Sequence, residues 1–322
     1  MKEMAGLTQA IIQDKGLPRW LLDVGGGSRH GRSEEMWLYR AALECDVVEV
    51  SSYACLVFEK STDLVNSADA GTLAKRLMVL IARKHEDTRE FAARALEEIT
   101  SRFLKGEEVE GVARLARVML TDADCETRRR GANIIGGIEN TLKGQEAKLA
   151  AVALIAASEQ LPKGDREVSA HQMIVRALSW IAQRVPDAGT AESTAKRLLS
   201  ELDCKHCRVD YGHFGQGTIL IGLAEAIPTL GDSETRDRVH RKILGSAQDE
   251  SLFYCYTSRP PTLNLHSGAE ALGIAARTLS GELLTKAIAA CEQMIAKHKE
   301  DRFSFDEALK VLRERKAALE KK

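Results

Sequence analysis

Aromatic residues make up only 5% of this 322-residue chain and prolines number only 6. So little aromatic and turn-forming material argues against a sandwich or barrel of strands, whereas the abundant Ala, Leu, Glu, Lys and Arg favour helix. An excess of one charge is lacking too, because 46 basic residues face 47 acidic ones. That balance removes the simplest electrostatic case for wholesale nucleic-acid or membrane affinity and leaves room for a local basic surface. No run approaches the roughly 18 apolar residues that a membrane span needs. The opening MKEMAGLTQAIIQDKG carries two acids and no long apolar region, unlike a secretory signal. The seven cysteines, Cys45, Cys55, Cys125, Cys204, Cys207, Cys255 and Cys291, are odd in number and mostly scattered. They suit reduced thiols in the cytoplasm better than a disulfide framework. What remains predicts an all-α, soluble protein with ample core.

The middle of the chain repeats itself. DTREFAARALEEI at 87–99 aligns without gaps on ETRRRGANIIGGI at 126–138, an offset of 39 residues. A weaker third copy, DREVSAHQMI at 165–174, keeps the acid, the small residue Ala170 and the aliphatic Ile174, with its arginine displaced by one. An acid in the first turn favours the positive end of the helix dipole, and the small residue lets a neighbouring helix approach closely. Between the copies, VEGVARLARVML (109–120) and AKLAAVALIAAS (147–158) are long enough to be antiparallel partners, so the unit is a helical hairpin. Helical periodicity continues over 73–85, 189–202, 216–229, 232–246, 267–279, 282–298 and 304–320. Ser304 and Glu307 have the spacing of a capping box opening the last helix.

Over about 87–180 these residues resemble the HEAT family of repeats, whose second helix opens with an acid, an arginine, a small residue and an aliphatic. The resemblance implies an all-α, right-handed α-solenoid of antiparallel hairpins with the second helices lining its inner surface. The chain then reads as an N-terminal helical cap (1–72) with a Gly-rich loop at 25–32, regular repeats (73–203), and degenerate repeats (204–322) with two insertion loops and a terminal capping helix.

On that frame Arg89, Arg94, Arg128, Arg129, Arg130, Asn133, Arg166, Arg176 and Trp180 come from successive second helices and are candidates for a polar ridge that meets an acidic protein segment or a phosphate backbone. The recurring acid–Thr–Arg pattern equally lets each arginine pair with an acid of the neighbouring repeat, with Trp180 as core. Tyr211, His213 and Phe214 in 206–217, and Tyr254, Tyr256 and Arg259 in 251–266, belong to the two least repetitive stretches. Such aromatics anchor interfaces or seal a break in the repeat.

Other chemistry is thinner. WLLDVGGGSRHGRS (20–33), followed by CDVVEVSS, resembles the first strand–loop–helix–strand of class I methyltransferases, but no further alternation of strands and helices follows to build a sheet. It reads as a turn in which Ser33 caps the next helix, with Arg29, His30 and Arg32 available to an anion or partner. Cys204 and Cys207 have zinc spacing with His213 beyond, and Cys255 or His266 could join them, but no second such pair exists. His85-Glu86 is a lone pair of its kind. Resemblance to the helical-repeat alkylpurine DNA glycosylases is of fold class only. No cofactor, metal or catalytic group is expected. The leading expectation is a non-enzymatic scaffold for a protein partner. A nucleic-acid-binding protein, tied by analogy to DNA repair, is the alternative, and an enzyme with an N-terminal nucleotide or S-adenosylmethionine site is a distant third.

Overall fold

Each copy of the 39-residue pattern becomes the second helix of a hairpin. The computed structural model describes residues 67–81, 86–160, 165–203, 212–256, 263–298 and 303–321, with Leu43 and Cys55 besides. The chain divides into two compact units, Met1–Thr141 and Leu142–Lys322. The first unit holds α1 (Ser67–Ile81), α2 (Glu86–Phe103), α3 (Glu107–Met119) and α4 (Cys125–Gly137). The second holds α5 (Gly144–Glu159), α6 (Asp165–Ile181), α7 (Ala188–Asp203), α8 (Gly212–Ala226), α9 (Ser233–Ser246), α10 (Ser267–Ala275), α11 (Gly281–Lys297) and α12 (Phe303–Glu320).

One packing scheme recurs within each unit. In the first, α1 packs on α2 and α3 on α4, while α1 also meets α3 and α2 meets α4. In the second, the hairpins α5–α6, α7–α8, α9–α10 and α11–α12 stack so that first helices touch first helices and second helices touch second helices. No hairpin can enclose its own apolar faces, so each depends on its neighbours.

The small position of the repeat is where backbones approach. Ala92 and Ala170 are fully buried, and a Cβ on Gly131 would lie 2.7 Å from the Ala116 carbonyl oxygen on α3. Outside the legible repeat the same device returns with different residues. A Cβ on Gly222 of α8 would sit 2.9 Å from the Ser179 carbonyl carbon of α6, and one on Gly217 would be 2.5 Å from the Ser267 Cβ of α10. The glycines of HFGQGTILIG therefore serve a helix crossing, which corrects the expectation that 206–217 is a loop throughout: the chain is helical from Gly212.

The two layers differ in exposure. No residue of described burial is exposed in α4 or α8, in α2 from Thr88 to Thr100, or in α6 from Ala170 to Ile181. The first helices show solvent a full face, such as Glu107, Glu110, Arg114 and Val118 on α3 and Gln145, Leu149, Val152 and Ala156 on α5.

The 251–266 stretch, expected as a loop, contributes a two-stranded sheet. Strand β1 (Phe253–Tyr256) runs antiparallel to β2 (Leu263–His266), with Phe253 opposite His266 and Tyr256 opposite Leu263. Two isolated strands are marginal alone, and this pair leans on helices, β2 on α12 and β1 on α8. A second correction concerns Ser304. Its hydroxyl is buried and accepts the His266 backbone N–H at 3.0 Å, so it ties α12 to the sheet and does not serve as the expected capping-box oxygen.

Replacing Gly222 by alanine forces the Ser179 backbone aside, and overpacking of this kind costs about 1–3 kcal/mol. Gly245, whose Cβ would meet nothing within 4 Å, is the control, and alanine there should be neutral or stabilise by about 0.4–1 kcal/mol. Equilibrium urea unfolding compares them, and equal midpoints for the two variants would contradict the close approach.

Candidate partner-binding surface

In the first unit one arginine, Arg89, binds the turn of the next hairpin, and the others bond within their own hairpin. Arg89 donates to the Asp122 carboxylate at 3.0 Å and to the Thr127 hydroxyl at 2.6 Å. That hydroxyl donates to the Asp124 carboxylate at 2.6 Å, which also accepts the Thr127 N–H at 2.7 Å and so caps α4. Arg128 closes the same turn by donating to the Asp122 carbonyl at 2.9 Å. Burial works against the Asp124 charge, but the Thr127 hydroxyl and the Thr127 and Glu126 amides outweigh it and hold the carboxyl below its ordinary range. Arg129 donates to Glu126 at 2.7 Å, and Arg130 lies 2.9 Å from the same carboxylate. The arginine of the first acid–Thr–Arg copy thus fastens one repeat to the next, whereas that of the second closes the turn of its own hairpin. Arg130 and Asn133, at 7% and 9% exposure, lie out of a partner's reach, which corrects their place in the expected ridge. Arg89, Arg128 and Arg129 are half-buried.

The second unit offers a different group on α6. Arg176 lies over the Trp180 ring, 4.7 Å from its centroid, and both are half-buried. Burial lowers the Arg176 pKa from its ordinary value. On the adjoining α8, burial raises the Glu225 carboxyl and the Arg184 charge partly offsets it. A stacked guanidinium–indole pair is a preorganised platform of the kind that anchors interfaces. Arg166 lies in the first turn of α6, but its side chain is outside the described residues.

The two aromatic stretches are partly placed. His213 and Phe214 occupy the start of α8, and Tyr254 and Tyr256 alternate along β1, with the side chains of all four outside the described residues. Tyr211 and Arg259 lie outside them altogether, as do Cys204, Cys207, His85 and the glycine-rich stretch with Arg29, His30, Arg32 and Ser33. His266 is no metal ligand. Its Nδ1 accepts the Ala269 N–H at 3.1 Å, its Nε2 donates to the Asp249 carbonyl at 2.9 Å, and the ring packs on Phe305 at 4.7 Å between centroids. Both nitrogens are spent, and the residue caps α10. Among the described residues no group of three His, Cys, Asp or Glu side chains is placed to hold a metal, and no helix is long and apolar enough to cross a membrane. Burial pushes the Cys291 thiol up to about 12, so it is no nucleophile at neutral pH.

The capping device escaped the 39-residue alignment at its second site. TDADCETR (121–128) recurs as TLGDSETR (229–236), now opening the first helix of a hairpin. The Asp232 carboxylate accepts the Glu234 and Thr235 amides, and Arg236 donates to the Leu230 carbonyl. Comparing those two strings would have found it.

No protein-family profile and no curated protein matches the sequence. Among solved structures, an engineered protein from the Northeast Structural Genomics Consortium is similar with a TM-score of 0.50 at 18% identity, over 74% of this chain and 98% of that one. A second engineered protein from the same consortium aligns at a TM-score of 0.43 and 14% identity, over 87% of this chain and 97% of that one. The karyopherin Kap121p, solved bound to the SUMO protease Ulp1p, aligns at a TM-score of 0.39 and 12% identity over 98% of this chain, which spans 35% of the karyopherin's length. These likenesses concern a helical fold alone.

Buried imidazoles make stability depend on pH. Burial lowers the pKa of His266 and of His240, each from an ordinary 6.5. The unfolded chain therefore binds more protons than the folded one just below that value, and stability that is complete above it falls as the solution is acidified. Unfolding midpoints should be lower at pH 5.5 than at pH 7.5. His266→Asn, which retains a capping oxygen, should lose part of that slope; an unchanged slope would contradict the neutral cap.

Proposed function

We propose that the chain is a HEAT-like, right-handed α-solenoid that acts as a non-enzymatic cytoplasmic scaffold, binding a protein segment along its second helices. In this reading 1–72 is an N-terminal cap, 73–203 the regular repeats and 204–322 the degenerate ones. The carrying observation is the contrast of layers: the second helices α4, α6 from Ala170 on, and α8 expose no residue of described burial, yet α6 carries the half-buried Arg176 and Trp180. Side chains already fixed by packing lose little freedom when a partner arrives, which keeps the ordering cost in the receptor low. Arg89, Arg128 and Arg129 extend the proposed contact in the first unit, and Arg166, Tyr211, His213, Phe214, Tyr254, Tyr256 and Arg259 in the second.

Affinity capture from native lysate, with and without nuclease, tests this reading with wild type beside an Arg176→Ala/Trp180→Ala double variant whose melting confirms folding. A protein partner should be retained after nuclease treatment and fall at least about tenfold, or 1.4 kcal/mol, in the variant. Bound material that nuclease removes, and whose affinity falls log-linearly with salt, would favour the nucleic-acid reading instead. Equal capture by both proteins would remove α6 from the site.

A further inference from the structure

We propose that the seam between the two first helices of the unit Met1–Thr141 docks a partner segment combining aliphatic side chains with carboxylates. This surface is separate from the second-helix layer. Helices α1 and α3 pack side by side, and two contacts fix their register: Gly71 faces the Glu108 side chain, and Gly111 faces Met78. The only neighbour a Cβ on Gly111 would meet is the Met78 methyl, at 4.0 Å, so the glycine leaves a notch roofed by one flexible side chain. Methionine refills such gaps when a ligand arrives, a property that adaptable binding surfaces use.

Around the notch the surface is apolar. Val79 is 50% exposed and Val118 is 63% exposed, and Leu115 beside them is half-exposed. Single valines on a surface need no explanation. These two stand 39 residues apart in sequence, at the same position of adjacent repeats, one on each of the two packed first helices. Exposed Lys75 and Arg114 flank these valines, again 39 residues apart. Neither is paired with an acid among the described residues. Glu107 and Glu110 lie at the N-terminal end of α3, away from the valines, where Glu108 already fills the space over Gly71.

Chemistry selects the occupant. A second copy related by a two-fold axis would bring the same basic rim against itself, and like charges brought together at an interface repel. A phosphate backbone would meet Lys75 and Arg114 but leave the valines without apolar contact. A segment with aliphatic residues at helical spacing and carboxylates on their flank satisfies both features, as in the docking of amphipathic segments into apolar grooves.

Fluorescence anisotropy on the full chain tests this with a labelled synthetic peptide of Leu and Glu at helical spacing. A Lys-for-Glu version and a single-stranded oligonucleotide serve as competing probes. Wild type should bind the acidic peptide, and Val118→Asp and Arg114→Glu, both at exposed positions that leave folding intact, should weaken it at least about tenfold. Lys196→Glu, at an exposed site on α7, should change nothing, and Arg114→Glu should gain affinity for the Lys peptide. The Arg176→Ala/Trp180→Ala variant should bind the acidic peptide as wild type does, so the two surfaces fail independently. No binding, equal binding of the two peptides, preference for the oligonucleotide, or indifference to Val118→Asp and Arg114→Glu would each overturn the proposal.

Discussion

The structure depends on one constraint: a helical hairpin of this composition has more apolar surface than it can fold upon itself. Each hairpin therefore needs a neighbour at backbone distance, and that distance is set by residues without bulk. Gly217 and Gly222 supply it between α8 and its neighbours α10 and α6, and Gly131 supplies the same close approach between the two helices of its own hairpin. The enclosure of α4 and α8 and the solvent face of α3 and α5 both follow from this.

Polar groups hold the stack in register. The bonds that cross from one hairpin to the next join residues about one repeat apart: Arg89 to Thr127 at a separation of 38, Arg197 to the Ser158 carbonyl at 39, Glu192 to the Asp232 N–H at 40, and His240 to Thr278 at 38. Glu201, 5% exposed, accepts from both Arg197 and His171, and a carboxylate so buried is stable only because both partners are supplied. These groups favour one register over its slipped alternatives, because a slip would strand each of them.

Much of the fold was legible because helix periodicity and packing express the same physics. Apolar spacing predicted a helix over 232–246, and the helix runs Ser233–Ser246; the acid, small and aliphatic positions of 87–99 and 126–138 became α2 and α4. The failures share a cause. The start of HFGQGTILIG looks like a loop to local propensity, and only the neighbouring α6 and α10 reveal Gly222 and Gly217 as crossing points. Ser304 fits a local cap, and only β2 offers it the His266 N–H. Phe253–Tyr256 and Leu263–His266 are too short to announce strands without the helices beneath them. The arginines were legible as a set, but their division between the buried Arg130 and the half-buried Arg89, Arg128 and Arg129 rests on packing that no alignment contains. The seam at Gly111 left its trace in the sequence only as valines and cations repeating at the repeat offset.

Native-state hydrogen exchange under rising denaturant tests the dependence of each hairpin on its neighbours most directly, because it reads the opening free energy of each helix separately. In the unit Leu142–Lys322, α6 and α8 are enclosed while α11 and α12 carry exposed charged faces. Nearest-neighbour stacking predicts opening in hairpin-sized steps, α11 and α12 before α6 and α8. A single concerted opening, with the same free energy for α12 as for α8, would contradict it.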